Sequence, residues 1–276
     1  MTPWMDGYLN ANGIKIHYHR TGGGKPPLLL LHGITDNGLC WTRVAEDLQD
    51  CCDVIMTDAR GHGLSDRIES GFSIPILAAD AAGVIQALGL GPTVVWGHSM
   101  GAITAAHLAA DYPHLVAAVI LEDPPLEERD KSIPPEIIAG IKQNMLDLKA
   151  LSPQDRLARA AVQNPGWHPA ELPSWAASKA EVDLEVFSRF AAFHERPWQE
   201  VFTRLQCPGL LITGDLTRGA IVKPETARQS LELWPRGQVL DFAAGHNIHR
   251  ECYTEVMAAV GSFLKSVDTA GENQVK

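Results

Sequence analysis

The sequence has little of what marks several large classes of protein. Its 276 residues include only five cysteines, an odd number without paired C-x-x-C spacing, which indicates neither a disulfide framework nor a zinc site and favours a reducing cytoplasm. Lys and Arg total 23 against 33 Asp and Glu, a net charge of −10 with no basic stripe. We therefore expect no nucleic-acid partner, because tracking a phosphate backbone requires clustered positive charge.

Long hydrophobic runs are also missing. The longest, residues 26–31 and 115–121, are strand-sized, far below the roughly 20 residues that cross a bilayer. The N-terminus has no cationic start followed by an apolar run, so we expect no signal peptide and no membrane partner. A composition of 45% hydrophobic and 20% charged residues excludes disorder and coiled coil, and a chain of this length buries about three quarters of its unfolded surface.

Short apolar runs alternate with segments of helical period, which predicts an α/β protein with a mostly parallel sheet covered by helices. The predicted strands are residues 15–18, 28–31, 54–57, 93–96, 117–121, 210–213 and 238–242. The predicted helices are residues 41–48, 74–88, 100–111, 225–233 and 250–264. Between Pro124 and Gln206 the alternation stops and prolines separate several helix-like segments, which indicates an inserted helical cap.

The strongest chemical signal is TVVWGHSMGAITAAHLAA, in which a buried strand runs into Gly97-His98-Ser99-Met100-Gly101 and then a helix. This pattern is typical of a nucleophile elbow, whose tight turn lifts the serine hydroxyl above the sheet. Glycines lie two positions either side of Ser99 because neighbouring backbone would collide with a Cβ there. The helix that begins after the serine directs unpaired N–H groups and its positive dipole end towards a developing oxyanion.

Two further loops follow predicted strands. His32-Gly33-Ile34 follows LLLL, and the backbone N–H of Ile34 can join that of Met100 as an oxyanion hole. The second loop, DARGHGLSD, is polar and rich in glycine.

With LLLLHGITDNGLCW, DARGHGLSD, GHSMG and a late AAGHN in this order, nearly the whole chain resembles the α/β-hydrolase superfamily, in particular serine-nucleophile members of the esterase and lactonase type. The resemblance implies an eight-stranded sheet and a triad in the order Ser, acid, His. It also implies a core of residues 1–123 and 207–276, with the cap at residues 124–206.

His246, in AAGHNIHRE, matches the position of the family's catalytic base. A serine hydroxyl needs a base within hydrogen-bond reach, and a neutral imidazole can serve at pH 7. His249 is the nearby competitor, although it would already lie near the final helix. His98 adjoins the nucleophile, and we interpret it as a packing or hydrogen-bonding residue because adjacent side chains on such a turn diverge.

The acid departs from the commonest family pattern, in which an aspartate stands three residues past the glycine after the seventh strand. Here LLITGDLTRG places Thr217 at that position, and Asp215 stands only one residue past Gly214. Some relatives keep the acid after the sixth strand, where VILEDPP supplies Asp123. We therefore favour Asp123 and keep Asp215 and Glu122 as alternatives.

These residues predict a serine hydrolase that cleaves a small ester or lactone through an acyl-enzyme, with a small-molecule substrate and no metal or cofactor. The fold also hosts carbon–carbon bond hydrolases, cofactor-free perhydrolases and non-enzymatic receptors, which stay open as alternatives. A homodimer is also compatible with the sequence. Aromatic residues are concentrated in the cap, where one or two of them would line an apolar pocket; the candidates are Trp167, Trp175, Phe190 and Trp198.

Overall fold

One eight-stranded sheet runs through the protein. The computed structural model describes residues 4–69, 71–126, 135–189 and 196–272. The strands are β1 (Met5–Ala11), β2 (Ile14–Arg20), β3 (Pro27–Leu31), β4 (Asp53–Thr57), β5 (Thr93–His98), β6 (Val116–Glu122), β7 (Gly209–Thr213) and β8 (Gly237–Asp241). They lie in the order β1-β2-β4-β3-β5-β6-β7-β8. Strand β2 is antiparallel to both of its neighbours, β1 and β4, and strands β3 to β8 are parallel to one another.

Helices cover both faces of this sheet. They are α1 (Thr42–Leu48), α2 (Ile74–Ala87), α3 (Met100–Asp111), α4 (Pro135–Ala150), α5 (Pro153–Gln163), α6 (Leu172–Glu181), α7 (Glu185–Ser188), α8 (Trp198–Phe202), α9 (Pro224–Leu233), α10 (Ile248–Glu251) and α11 (Tyr253–Glu272). Helices α2 and α3 pack with the apolar side chains of one sheet face, and α1 and α11 pack with those of the other. The central strands are buried on both sides, which explains their continuous apolar sequences.

The predicted fold class is confirmed, and each of the seven predicted strands is present. The strand that the sequence reasoning missed is β1, whose sequence MDGYLNA has no apolar run because it lies at the edge of the sheet with its side chains largely exposed. The predicted final helix is instead two helices, α10 and α11, which are separated at Cys252.

Helices α4 to α8 all lie in the segment between β6 and β7. Of these, α6 reaches the loop that follows β3, through hydrogen bonds described below. The division into a core of residues 1–123 and 207–276 and a cap of residues 124–206 stays a prediction. Within the described ranges, the structure contains no helix long and apolar enough to cross a membrane.

The parallel register brings several strand ends to one edge. Leu31 pairs with Gly97, His98 pairs with Glu122, and Glu122 pairs with Ile212. The loops after β3, β5, β6 and β7 therefore begin side by side at the carboxyl edge of the sheet, where open α/β sheets bind their ligands.

The packing of α3 against β3 predicts a stability defect for Gly101→Ala. A Cβ at residue 101 would overlap the backbone carbonyl of Leu31, which cannot move aside as a side-chain tip could. We expect a loss of about 1–3 kcal/mol in the free energy of unfolding, the usual cost of overpacking. Gly140→Ala is the control, because a Cβ at this position in α4 meets nothing within 4 Å. Equal midpoints for both variants in urea denaturation would contradict the prediction.

Candidate active site

Ser99 lies at a sharp turn between β5 and α3. Its backbone has φ 52° and ψ −115°, a strained conformation that costs about 1–3 kcal/mol in a residue with a Cβ. The Ser99 N–H donates to the carbonyl oxygen of Glu122 at 2.9 Å, and the Ser99 carbonyl accepts from the N–H of Ile103 at 3.2 Å. Since α3 begins at Met100, its first N–H groups lack intrahelical acceptors and lie beside the serine. The half-buried Ser99 therefore stands at the positive end of a helix dipole.

His246 lies in the loop between β8 and α10 and bonds to the residue that follows β6. Its Nδ1 is 2.6 Å from Oδ2 of Asp123. The Asp123 side chain is fully buried, whereas that of His246 is 31% exposed. Two backbone donors, the N–H groups of Ile221 and Val222, reach the same carboxylate at 3.0 to 3.2 Å. Because Nδ1 supplies the hydrogen to Asp123, the neutral ring has its acceptor lone pair on Nε2.

The other two candidate acids bond elsewhere. Oδ1 of Asp215 accepts from the N–H of Thr217 at 2.8 Å and from its hydroxyl at 2.7 Å. These bonds lower the pKa of the Asp215 carboxyl and cap the turn over Leu216–Arg218. The carboxylate of Glu122 bonds to His249. Of the three acids, Asp123 is therefore the one that the fold brings to His246.

Glu122 and His249 form a buried pair beneath this site. Nδ1 of His249 lies 2.8 and 3.0 Å from the two carboxylate oxygens of Glu122, and the His249 N–H donates to Oε1 at 2.9 Å. Trp41 stacks on the His249 ring with centroids 4.4 Å apart. Burial would raise the pKa of Glu122, but the attraction and hydrogen bonds of His249 outweigh it and lower this pKa to about 2. The His249 side chain is itself buried, with 1% of its surface exposed.

His98 joins the serine turn to the histidine loop. Its Nε2 lies 2.9 Å from the carbonyl oxygen of His246, which must accept, so the Nε2 carries the hydrogen. Burial lowers the pKa of His98 to about 3, and the ring is accordingly neutral at pH 7. The hydrogen-bonding role predicted for this residue matches this contact.

The loop after β3 is restrained at consecutive carbonyl groups. Nδ1 of His32 lies 2.8 Å from the carbonyl oxygen of Gly33, while its Nε2 accepts from the N–H of Ala59 at 3.0 Å. Nε2 of His62 lies 2.7 Å from the carbonyl oxygen of Ile34. The peptide groups on both sides of Ile34 therefore have restricted orientations.

Lys179 of α6 restrains the next residues of that loop. Its fully buried ammonium donates to the carbonyl oxygen and hydroxyl of Thr35 at 2.8 and 2.9 Å and to Oδ1 of Asp36 at 2.7 Å. Arg250 donates to the other oxygen of Asp36 at 2.9 Å, and Ser178 donates to Thr35 O at 3.0 Å. Burial opposes the charge on Asp36, but Lys179 and Arg250 hold its pKa well below the usual range. A helix between β6 and β7 is thus joined to the loop that carries Ile34.

The predicted pocket aromatics occupy different surroundings. Trp167 and Trp175 form an edge-to-face pair with centroids 5.8 Å apart, and each ring also faces a cation, Arg250 and Lys179 respectively. Trp198 is 4% exposed and packs in the main apolar core against Phe202. This packing does not favour a pocket role for Trp198. Phe190 lies outside the described residues.

The comparisons with known proteins identify the family. A model of the alpha/beta hydrolase fold matches residues 26–251. The chain belongs to the α/β-hydrolase family. The predicted resemblance is confirmed, and so is the coarse prediction of a hydrolase.

Several relatives of this α/β hydrolase match over nearly its full length. N-formylmaleamate deformylase of Pseudomonas putida is 31% identical over 269 residues, which cover 94% of this chain and 96% of that protein. The crystal structure of an N-formylmaleamic acid deformylase from Pseudomonas putida has a TM-score of 0.80 at 24% identity and covers 93% of this chain and 100% of that one. The structure of E-2-(acetamidomethylene)succinate hydrolase has a TM-score of 0.81 at 22% identity, with coverage of 95% and 99%.

Sequence reasoning missed three features of this α/β hydrolase: the donors Ile221 and Val222, the Glu122–His249 pairing, and the buried Lys179. The backbone donors have no side-chain signature. Lys179 lies in SWAASKAE, where one lysine in a helix is typical of an exposed position, and nothing in the sequence distinguishes it.

The Glu122–His249 pair predicts a pH-dependent effect of Glu122→Gln. Because the pKa of Glu122 falls from 4.5 to about 2 on folding, its stabilisation is fully present above pH 4.5 and is lost as the pH falls towards 2. At pH 7 we expect the variant to lose about 1.5–3 kcal/mol of unfolding free energy, the contribution of a charged hydrogen bond. At pH 3 the difference from wild type should be clearly smaller. Urea denaturation at both pH values measures the difference in unfolding free energy, and Glu136→Gln, at an exposed position, is the control. A loss of stability that is equal at pH 7 and pH 3 would contradict the prediction.

Proposed function

We propose that this α/β hydrolase cleaves a small, largely apolar carboxylic ester or lactone through an acyl-enzyme on Ser99. The observation that carries the proposal is the 2.6 Å bond between His246 and the buried Asp123, set beside the strained turn of Ser99. Acyl transfer requires a serine at a helix N-terminus and a histidine oriented by a carboxylate, and Ser99, His246 and Asp123 supply these groups.

In the proposed reaction, Oγ of Ser99 attacks the acyl carbon while Nε2 of His246 takes the hydroxyl proton. The backbone N–H groups of Ile34 and Met100 stabilise the oxyanion. The C–O bond of the ester then breaks, and the His246 imidazolium gives its proton to the leaving oxygen. Water attacks the acyl-enzyme with His246 again as base, which releases the acid and restores Ser99. Asp123 stays ionised throughout and stabilises the imidazolium, and no step calls for a cofactor.

A short N-acyl amide is the second candidate substrate. It is favoured by the 31% identity to N-formylmaleamate deformylase over almost the whole of both chains. The same residues suffice for this bond, because the His246 imidazolium can protonate a leaving nitrogen as it protonates an oxygen. For either substrate, Trp167 and Trp175 remain our candidates for lining the pocket.

Kinetics with matched substrates test the proposal and separate the two bonds. The panel comprises p-nitrophenyl esters of increasing acyl length, a lactone, and amides with the same acyl groups. We expect kcat/KM to be highest for an ester or lactone; a higher value for the amides would favour the second candidate.

Ser99→Ala should lower kcat by about 10⁴- to 10⁶-fold while the protein stays folded, as removal of a triad nucleophile does elsewhere. Ser262→Ala, an exposed serine of α11, is the matched control, and a fluorophosphonate should label wild type and the control but not Ser99→Ala. Unchanged turnover in Ser99→Ala would refute the proposal.

The identity of the acid is tested by Asp123→Asn and Asp215→Asn. An amide at residue 123 has only one acceptor oxygen. If that oxygen accepts from Nδ1 of His246, the NH₂ group is left facing the N–H donors of Ile221 and Val222, and if it accepts from those donors, the NH₂ group faces Nδ1. We therefore expect Asp123→Asn to lower kcat by about 10⁴-fold. Asp215→Asn should cost far less, because that side chain caps a local turn. Steady-state kinetics on variants shown to be folded by circular dichroism decide the point, and the opposite ranking would assign the role to Asp215.

A further inference from the structure

The edge hairpin places two histidines and a carboxylate on one face of the sheet. His17 and His19 lie two residues apart on β2, and Asp6 is directly opposite His19 on β1. Side chains two residues apart on a strand share a face, and directly opposed ones are close neighbours. Oδ1 of Asp6 lies 2.7 Å from Nε2 of His17, and Oδ2 lies 4.0 Å from Nδ1 of His19. One ligand atom from each residue lies within 4.8 Å of the other two.

A second carboxylate orients the buried histidine of this group. Nδ1 of His17 lies 2.9 Å from Oδ2 of Asp58, and the backbone N–H groups of Gly38 and Leu64 hold that carboxylate at 2.7 and 2.9 Å. Metal-binding histidines commonly donate their second ring N–H to such a carboxylate, which directs the other nitrogen at the ion. Nothing in the reaction proposed for Ser99 uses this arrangement.

The donor set leaves a place for a cation. A neutral imidazole has one N–H, yet carboxylates lie against both nitrogens of His17. Either a second proton or a metal ion must therefore lie between Nε2 of His17 and Asp6. Asp6 and Asp58 together balance the charge of a divalent ion.

The chemistry and accessibility of these groups favour zinc. Two imidazoles with one carboxylate suit Zn²⁺, at distances of about 2.0–2.2 Å, whereas Mg²⁺ requires mostly oxygen ligands. The Asp6 side chain is 63% exposed and that of His19 is 14% exposed, so an ion can enter from solvent. Ligand atoms of a tetrahedral zinc ion lie about 3.3–3.6 Å apart, so the 2.7 Å contact of Asp6 with His17 must lengthen and its 4.0 Å contact with His19 must shorten. The exposed Asp6 side chain can move to meet both conditions.

We propose that Asp6, His17 and His19 bind a zinc ion, with Asp58 orienting His17 from behind. The ion joins β1 to β2 and stabilises the edge hairpin, and water completes its coordination. The site is independent of the hydrolytic reaction proposed above.

Zinc titration by calorimetry tests the site, with Asp6→Asn and His19→Ala as ligand variants and the exposed His114→Ala as control. All proteins carry Cys51→Ser, because Cys51 is an exposed thiol that could bind zinc. We expect the parent and the control each to bind one zinc ion per chain. Both ligand variants should bind zinc about 10- to 100-fold more weakly, the loss that removal of a metal's supporting groups typically causes. Zinc should raise the Tm of the parent and the control only, and Mg²⁺ should not compete.

Because Asp6 is exposed, Asp6→Asn is expected to fold even if His19→Ala does not, and circular dichroism checks both. Equal zinc affinity in the parent and Asp6→Asn would place the ion elsewhere and overturn the proposal. Absence of zinc binding by the parent at concentrations above that of the protein would overturn it as well.

Discussion

The close approach of α3 to the carboxyl end of β3 is the constraint on which the site depends. Neither Gly97 nor Gly101 has room for a side chain. A Cβ at residue 97 would overlap the backbone of Gly101, and a Cβ at residue 101 would overlap the backbone of Leu31. With the helix this close, the chain can connect β5 to α3 only through a tight turn, and Ser99 takes up the strain as a positive φ. The same approach sets the helix N-terminus beside the loop that carries Ile34.

Around this turn, consecutive acidic residues serve two different histidines. Glu122 is the last residue of β6 and points to the buried His249, while Asp123 turns to the half-exposed His246. Asp123 also has a positive φ, 43°, so the chain changes direction between the two carboxylates. The Glu122–His249 pair is buried, whereas the His246 side chain of the other pair is 31% exposed. His98 then ties the His246 backbone to the serine turn.

The segment between β6 and β7 also contacts the loop that carries Ile34. Lys179 brings a buried charge to Thr35 and Asp36, next to the peptide group proposed to stabilise the oxyanion. Removing one partner of such a buried charge network is generally costly, because it leaves the other charge unpaired. The geometry of the loop is thus coupled to α6, and a relative with a different insertion would need another way to hold it.

Local patterns in the sequence predicted seven of the eight strands and five helical segments, including that of α3, because buried strands and helix periodicity are properties of adjacent residues. The glycine-bounded turns and the family resemblance also singled out Ser99, His246 and Asp123 as candidate site residues, with Asp215 and Glu122 as alternative acids. The edge strand β1 was missed because it buries too little to need an apolar run. Which carboxylate meets His246 was decided by tertiary structure, since residues 123 and 246 become neighbours only when β6, β7 and β8 align. Lys179 acquires its partners from a segment distant in the chain, and so does His17, which meets Asp58. No local pattern encodes such contacts.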